Sequence, residues 1–186
     1  MSSQPKSAFD IGWKPPAPQN QQPPGLESKM DPFPELDHVP DWDGGSRLYQ
    51  AAGKLKGRKA LITGGDSGIG RATAILFAME GAEVFCQYLP EEEEDAAKTK
   101  QYVEKHGGKY HSLAINLKPR ENCQKLVEEA VKAMGGINVL FNNHAYQMMT
   151  KDILELPEEQ WLHTFDTNIH RKITTCVSFV WRIYAD

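Results

Sequence analysis

The chain has few cysteines, no long apolar run and no excess of basic residues, and each shortage excludes a class of protein. Its three cysteines, Cys86, Cys123 and Cys176, lie far apart and outside any CxxC spacing. Neither a disulfide framework nor a zinc site is therefore predicted. Because free cysteine is among the most buried residue types, we expect all three to be packed as small apolar side chains.

Membrane and nucleic-acid partners are also disfavoured by what is missing. The apolar runs are too short for a membrane helix, and the N-terminus MSSQPKSAFD lacks the hydrophobic core of a signal peptide, so a cytoplasmic location is the default expectation. The formal net charge is -4, and no stripe of lysine or arginine is present to follow a phosphate backbone. A length of 186 residues suits one globular domain.

Proline is concentrated in the first forty residues, which contain nine of the twelve prolines. Stretches such as PPAPQNQQPPG sustain neither a helix nor a sheet ladder, so residues 1–50 are predicted to form an arm that is extended or partly disordered. Trp13, Phe33 and Trp42 favour an arm whose large aromatic rings dock on its own domain or on a neighbouring subunit.

From residue 51 to residue 186, short apolar runs alternate with amphipathic segments in the order typical of βαβ units. Strands are predicted at 59–63, 83–87, 110–115 and 137–141, and helices at 69–80, from about 91, at 120–134 and from 158 onward. The fold class is therefore α/β, a Rossmann-type parallel sheet with helices on both faces. The acidic run Glu91–Asp95 is interpreted as a solvated first turn that suits the helix dipole, and not as a metal site.

The segment TGGDSGIG, Thr63–Gly70, joins the first strand to the first helix. A glycine turn here puts the unpaired N–H groups of a helix N-terminus at the carboxyl edge of the sheet, which favours anion binding. Gly64 permits the sharp exit from the strand, Gly68 leaves room for a pyrophosphate, and Gly70 lets the helix pack closely on the strand. Thr63 is expected to tie the turn with its hydroxyl group.

The glycine spacing separates this turn from two better-known nucleotide motifs. A Walker A loop ends in Gly-Lys-Ser/Thr, whereas Gly70 is followed by Arg71 and Ala72, so the hydroxyl that would bind magnesium is absent. The GxGxxG spacing is absent too, since the glycines fall as GxxxGxG. The strand before the turn and the helix after it still favour a dinucleotide over a turn without a ligand.

TGGDSGIG and the segment NNHA, Asn142–Ala145, resemble the TGxxxGxG and NNAG motifs of the short-chain dehydrogenase/reductase family. The turn YLPEEEEDA and the arm segment PPGLESKMDPFP are similar to a branch with a proline-rich N-terminal arm, the glucose/ribitol dehydrogenase-like oxidoreductases. The resemblance covers about residues 15–172. It implies an NAD(P)-dependent oxidoreductase that moves a hydride between the nicotinamide and a small carbonyl or alcohol substrate, and a homo-oligomer when full length.

The resemblance also implies which residues form the site. Asn168, in TFDTNIH, matches the family's active-site asparagine, which helps to hold a proton-relay water. Cofactor-binding positions follow at the ends of the strands: Thr63, Gly64, Ser67, Gly68, Ile69, Gly70, Tyr88, Asn116 and Asn142.

Five positions depart from the family pattern. Asn116 and Asn138 stand where the family usually has acidic residues, and both amides can still form hydrogen bonds. His144 and Ala145 replace the alanine and glycine of NNAG, and His144 is interpreted as a packed residue, not a catalytic one. Tyr88 stands where NAD-preferring relatives carry an aspartate. NADP and NAD both stay open as cofactors, with a preference for NADP, because no carboxylate at this position repels a 2′-phosphate.

The family's catalytic tyrosine is followed at the fourth position by a lysine that lowers its pKa, and a serine orients the substrate. None of the six tyrosines has a lysine at that position within the chain. The residues from about Cys176 onward no longer look like the family. We therefore expect a C-terminally truncated protein that binds the cofactor without turnover and exposes its fourth strand as a hydrophobic edge. The alternative is a non-catalytic dinucleotide-binding or subunit-interaction protein.

Overall fold

A computed structural model describes residues 9, 12–14, 17, 21, 25–42 and 44–184. Residues 183 and 184 are described by their backbone alone. Among these, the strands are β1 His38–Pro40, β2 Ser46–Leu48, β3 Lys59–Thr63, β4 Glu83–Tyr88, β5 Lys109–Ala114 and β6 Val139–Asn142. The α-helices are α1 Gly68–Met79, α2 Glu93–Lys105, α3 Arg120–Met134, α4 Glu158–Phe165 and α5 Arg171–Tyr184. Short 3-10 turns cover Glu27–Lys29, Pro90–Glu92 and Ile153–Glu155, and the π-helix Asp166–His170 joins α4 to α5.

Four parallel strands form the central sheet in the order β5-β4-β3-β6. Register pairs such as Lys59 with Glu83 and Ala60 with Val139 place β3 between β4 and β6. The chain therefore builds the sheet outward from β3 to β5 and then crosses back to β6. This confirms the predicted Rossmann-type fold, and it leaves β6 at an edge whose residues are only half-buried.

Alternation along β3 divides the core into two layers, because successive strand residues point to opposite faces of the sheet. Ala60 and Ile62 pack with the buried face of α1 and with Val103 of α2. Leu61 points the other way, into the cluster formed by α3 and completed by Phe179 of α5. Helices thus cover both faces, as the sequence predicts.

The strand predictions agree with the structure to within two residues, but the last helix is not continuous. The segment predicted as one long helix from residue 158 is divided by the π-helix into α4 and α5. Trp161 and Phe165 do share a face, with their ring centroids 4.3 Å apart, yet both are exposed. No helix in the described part of the chain is long and apolar enough to cross a membrane.

Two of the three cysteines are buried. Cys86 and Cys123 have no exposed surface, as expected, but the prediction for Cys176 is wrong because its side chain is exposed. Successive side chains on a helix point about 100° apart. Because Thr175 is buried against α3, the next side chain, that of Cys176, points away from this contact.

The arm docks on the domain, but not through the two aromatic rings that lie between Glu27 and β2. Trp42 is 97% exposed and Phe33 is 42% exposed, whereas Glu27 and Leu36 are buried. Leu36 joins the core layer of α1. Trp13 is half-buried. The boundary at residue 50 stays a prediction, and most of residues 1–24 lie outside the described part.

Candidate functional site

A cleft of about 700 Å³ lies at the carboxyl edge of the central sheet. Its walls are the glycine turn after β3, the ends of β4 and β5, and the loop that follows β6. The chain reverses its direction of sheet growth between β3 and β6, and such a switch point is where open α/β sheets bind their ligands. The topology alone therefore selects this cleft as the candidate site.

The glycine turn can be built only with glycine at its closest contact. A Cβ atom on Gly70 would lie 1.8 Å from the carbonyl oxygen of Gly64, so α1 approaches the end of β3 more closely than any other residue allows. Gly64 and Gly68 have φ angles of 62° and 51°, which other residues rarely adopt. The predicted roles of Gly64 and Gly70 in the turn agree with this geometry.

Thr63 is predicted to tie the glycine turn with its hydroxyl, but that hydroxyl bonds instead to the loop after β6. The Thr63 Oγ1 atom accepts hydrogen bonds from the backbone N–H groups of Asn143, at 3.0 Å, and His144, at 3.2 Å. The Asn143 side chain in turn donates to the carbonyl oxygen of Gly64 at 2.9 Å. The carboxyl ends of β3 and β6 are thus fixed relative to each other.

His144 is a packed residue, which agrees with its interpretation from the sequence. Its Nδ1 atom lies 2.7 Å from Thr63 Oγ1. Burial, and next the nearby charge of Lys172, lower the pKa of His144 to about 4, so the ring is neutral at pH 7. The short contact between Thr63 Oγ1 and Nδ1 holds the ring against the end of β3.

The end of β4 forms the acidic part of the cleft. The Tyr88 hydroxyl donates to Glu93 at 2.7 Å, and burial together with this bond raises the pKa of Tyr88 to about 12. Asp66 and Glu92 line the same region. Burial raises the pKa of the Asp66 carboxyl, and burial followed by the charge of Asp66 raises the pKa of Glu92 to about 7. Carboxylates therefore do lie in this cleft, although Tyr88 replaces the usual aspartate.

Asp95 corrects the prediction of a solvated acidic turn. It is only 1% exposed, and its Oδ1 atom lies 3.1 Å from the guanidinium of Arg71. The side chain of Arg71 is itself fully buried, so this cation faces the protein interior and not a cofactor phosphate. The described residues contain no group of three histidine, cysteine, aspartate or glutamate side chains that could hold a metal ion.

The predicted site residues do not all line the cleft. Those that line the cleft are Gly64, Ser67, Tyr88 and Asn116. Thr63 and Gly70 are buried behind it, while Ile69 is exposed on the first turn of α1. Asn142 donates to the Lys172 carbonyl at 3.2 Å, and its Oδ1 atom is buried without a hydrogen-bond partner among the described residues.

Gln87 lines the cleft and supports the glycine turn, although the motifs do not mark it. Its Oε1 atom accepts the N–H of Gly64 at 3.1 Å, and its Nε2 atom donates to the carbonyl of Ile115 at 2.7 Å. It thereby spans the ends of β3 and β5 from β4. A glutamine directly after the apolar run Val84–Cys86 was the signal that could have identified it, because a buried amide requires hydrogen-bond partners.

Asn168 holds the loop after β6 by two hydrogen bonds to one residue. Its Oδ1 atom accepts the N–H of Tyr146 and its Nδ2 atom donates to the carbonyl of Tyr146, each at 2.8 Å. Tyr146 lines the cleft, and its ring stacks on His163 with centroids 3.9 Å apart. The matched family asparagine therefore positions a wall of the candidate site.

Substituting Asn168 with alanine is expected to lower the free energy of unfolding by about 2 kcal/mol, roughly 1 kcal/mol for each lost hydrogen bond. Urea denaturation followed by circular dichroism measures this change. Asn122→Ala is a matched control, because that amide makes one exposed bond, to the carbonyl of Asn116, and should cost less. Equal losses in the two variants would contradict the role of Asn168 in holding the loop.

Comparison with known proteins agrees with this geometry. The family model described as short chain dehydrogenase matches residues 58–183. Among curated proteins, an uncharacterized oxidoreductase of Bacillus subtilis, YhxD, is 44% identical over 81% of this chain and 48% of its own length. The glucose and ribitol dehydrogenase of Daucus carota is 39% identical over 85% of this chain and 53% of its own length. The NADPH-dependent aldehyde reductase 1 of Arabidopsis thaliana is 42% identical over 78% of this chain and 50% of its own length.

Solved structures give the same result. A putative short-chain alcohol dehydrogenase from Sinorhizobium meliloti has a TM-score of 0.64 at 28% identity, over 68% of this chain and 49% of that one. A short chain dehydrogenase from Mycobacterium paratuberculosis bound to NAD has a TM-score of 0.63 at 25% identity, over 70% of this chain and 52% of that one. The chain spans about half the length of the curated relatives it matches. Since the family model covers well over half of its residues, the chain belongs to the short-chain dehydrogenase family.

Proposed function

We propose that this chain binds a nicotinamide dinucleotide in the cleft at the glycine turn and forms the cofactor half of an oxidoreductase. As a whole, that enzyme transfers a hydride between the nicotinamide and a small carbonyl or alcohol. The contact between Gly70 and Gly64 carries the proposal, because a Cβ-free turn at a sheet switch point provides the cradle that a pyrophosphate needs. The bound dinucleotide would supply the hydride chemistry.

The chain's own residues would bind and orient the dinucleotide. The first turn of a helix offers unpaired N–H groups and a partial positive charge. Within the described chain, the N–H of Gly68 is bound by Glu27 and that of Arg71 by the carbonyl of Ser67. The N–H groups of Ile69 and Gly70 are then the donors proposed for the pyrophosphate. Asn168 is proposed to act by holding Tyr146 against the cleft.

Isothermal titration of the 186-residue chain with NADPH and with NADH tests the proposal. We expect one site per chain and dissociation constants on the order of micromolar to millimolar, the range of substrate affinities in enzymes. The absence of saturable binding of both dinucleotides would contradict it. We expect no oxidation of NADPH with carbonyl substrates, because no tyrosine within the chain is followed by a lysine at the fourth position.

The choice between the two cofactors is proposed to favour NADP. Tyr88 presents a hydroxyl, engaged by Glu93, at the position where an aspartate would select NAD. The similarity to a relative named for its dependence on NADPH supports the same choice. Asp66 and Glu92 oppose it when charged, since both line the cleft.

We therefore expect the preference for NADP over NAD to grow, by about threefold, as the pH falls from 8 to 6.5. With a pKa of about 7, Glu92 is ionised at the upper pH, and its charge repels the extra phosphate of NADP. Repulsion of this kind is worth about 1 kcal/mol near a protein surface. Titrating both dinucleotides at each pH measures the ratio.

The variant Glu92→Gln should show the stronger preference for NADP over NAD at both pH values, because its side chain carries no charge. Glu91→Gln is the matched control, because the Glu91 side chain is exposed and belongs to the same turn. A ratio in Glu92→Gln that still changes with pH as in the unmodified chain would show that Glu92 is not the responsible group.

The full-length enzyme is proposed to be a cytoplasmic homo-oligomer. Apolar side chains along α4 and α5, among them Trp161, Ile173 and Trp181, are exposed in the single chain. An exposed apolar surface of this kind favours association. Analytical ultracentrifugation of the full-length enzyme would measure its oligomeric state, and a monomer would contradict this part of the proposal.

A further inference from the structure

The 3-10 turn Glu27–Lys29 of the arm is joined to three other parts of the chain through one residue. Glu27 is 4% exposed. Its Oε1 atom accepts the N–H of Gly68 at 2.7 Å, its Oε2 atom pairs with the guanidinium of Arg71, and its backbone N–H donates to Asp95 at 3.1 Å. The arm therefore contacts the glycine turn, α1 and α2 at a single buried position.

The bond to Gly68 supplies a helix cap that the local sequence does not provide. Ser67 is the N-cap residue of α1, but its side chain makes no capping hydrogen bond. The Glu27 carboxylate accepts the first N–H of the helix instead, from 41 residues away. A carboxylate at a helix N-terminus also interacts favourably with the helix dipole. The arm thus determines how the helix that would face the pyrophosphate begins.

Arg71 extends this connection to the backbone of the glycine turn. Its Nε atom donates to the carbonyl of Asp66 at 2.8 Å and to the Thr99 hydroxyl at 3.0 Å, while its Nη2 atom donates to the carbonyl of Asp95 at 3.0 Å. Buried charges without partners are costly, whereas a fully bonded network is rigid. Removing the charge of Glu27 would therefore loosen the turn as well as the arm.

The docked arm also reaches the cleft itself. Gln21 and Gly25 are among the residues that line it. The Gln21 side chain accepts the N–H of Leu26 at 2.9 Å and donates to the Leu26 carbonyl at 3.0 Å, which connects this wall to the residue before Glu27. Docking at Glu27 and the shape of the cleft are therefore physically linked.

We propose that Glu27 is a positioning residue for the dinucleotide: by docking the arm on Gly68 and Arg71, it sets the glycine turn in the conformation that binds the pyrophosphate. This inference rests on the proposed function, since it concerns the same cleft. It assigns the proline-rich arm a role in cofactor affinity. Because such coupling is reciprocal, a bound dinucleotide must also hold the arm in its docked position.

The affinity test compares the unmodified chain with Glu27→Gln and Glu35→Gln, using NADPH titrated by calorimetry. An amide cannot satisfy the Gly68 N–H and also neutralise Arg71, so Glu27→Gln should bind about tenfold more weakly with unchanged stoichiometry. Glu35 lies exposed in the same arm, and its substitution should change the affinity less than about twofold. Equal affinities of Glu27→Gln and the unmodified chain would overturn the inference. Failure of the unmodified chain to bind would overturn the proposed function and the inference with it.

Limited trypsin digestion of the unmodified chain gives a second readout that a purely structural role would not move. Lys29 is exposed next to the docked residue, and Lys132 on α3 lies away from the cleft. NADPH should slow cleavage after Lys29 by several-fold more than cleavage after Lys132. Equal slowing at both sites would overturn the inference, including in the case that Glu27→Gln does not fold.

Discussion

Substituting Gly70 with alanine should abolish measurable dinucleotide binding and destabilise the fold by about 3 kcal/mol, the upper part of the range for overpacked cores. The added Cβ atom would lie 1.8 Å from the carbonyl oxygen of Gly64 and 2.7 Å from Nδ2 of Asn143. Both neighbours belong to the walls of the cleft, so relief of the collision must move the turn that would hold the pyrophosphate. Thermal denaturation and NADPH titration of the variant measure the two effects.

Gly107→Ala is the control for Gly70→Ala. Gly107 has a φ angle of 76°, and an added Cβ atom would meet nothing within 4 Å. Alanine at this φ angle strains the backbone without a collision, so this variant should lose about 1 kcal/mol of stability and keep its dinucleotide affinity. If Gly70→Ala bound NADPH as well as Gly107→Ala does, the glycine turn would not be the binding site.

Substituting Arg71 with leucine should lower the free energy of unfolding by about 3–5 kcal/mol, the usual cost of removing one partner from a buried ion pair. The substitution leaves the buried Glu27 carboxylate without its cation and leaves Asp95 with only Lys98, at 4.0 Å. Urea denaturation measures the change. Arg58→Leu is the matched control, since the Arg58 side chain is exposed and its removal should cost less than about 0.5 kcal/mol.

A double variant separates the charge from the packing of Arg71. If uncompensated charge causes the loss, adding Glu27→Gln to Arg71→Leu should restore part of the stability, because it removes one of the two buried carboxylates. Residues in contact give such non-additive effects. Purely additive losses would show that Arg71 and Glu27 do not form one network.

The regular part of the fold could be predicted from the sequence because its signals are local. The strands β3, β4 and β6 are short, mainly apolar segments, and the turn Thr63–Gly70 carries its own spacing of glycines. These features determine the backbone over a few residues, and the βαβ order then leaves few topologies. The carboxyl-edge cleft follows from that topology.

The contacts that support the site could not be predicted because they join distant residues. Glu27 and Arg71 lie 44 residues apart, and neither is apolar, so no periodicity connects them. An acidic first turn normally faces water, but the buried guanidinium of Arg71 draws Asp95 inward. Cys176 is a second example, on helix α5. The spacing of apolar residues predicts which face of a helix is apolar, but not which neighbouring element covers that face.

Hydrogen–deuterium exchange of the 186-residue chain, with and without NADPH, locates the bound dinucleotide. We expect protection of the peptides that contain Thr63–Gly70 and the loop 142–147, together with the arm turn Glu27–Lys29. Exchange that is unchanged in all three segments, or protection confined to the α3–α5 face, would show that the dinucleotide does not bind in the cleft at the glycine turn.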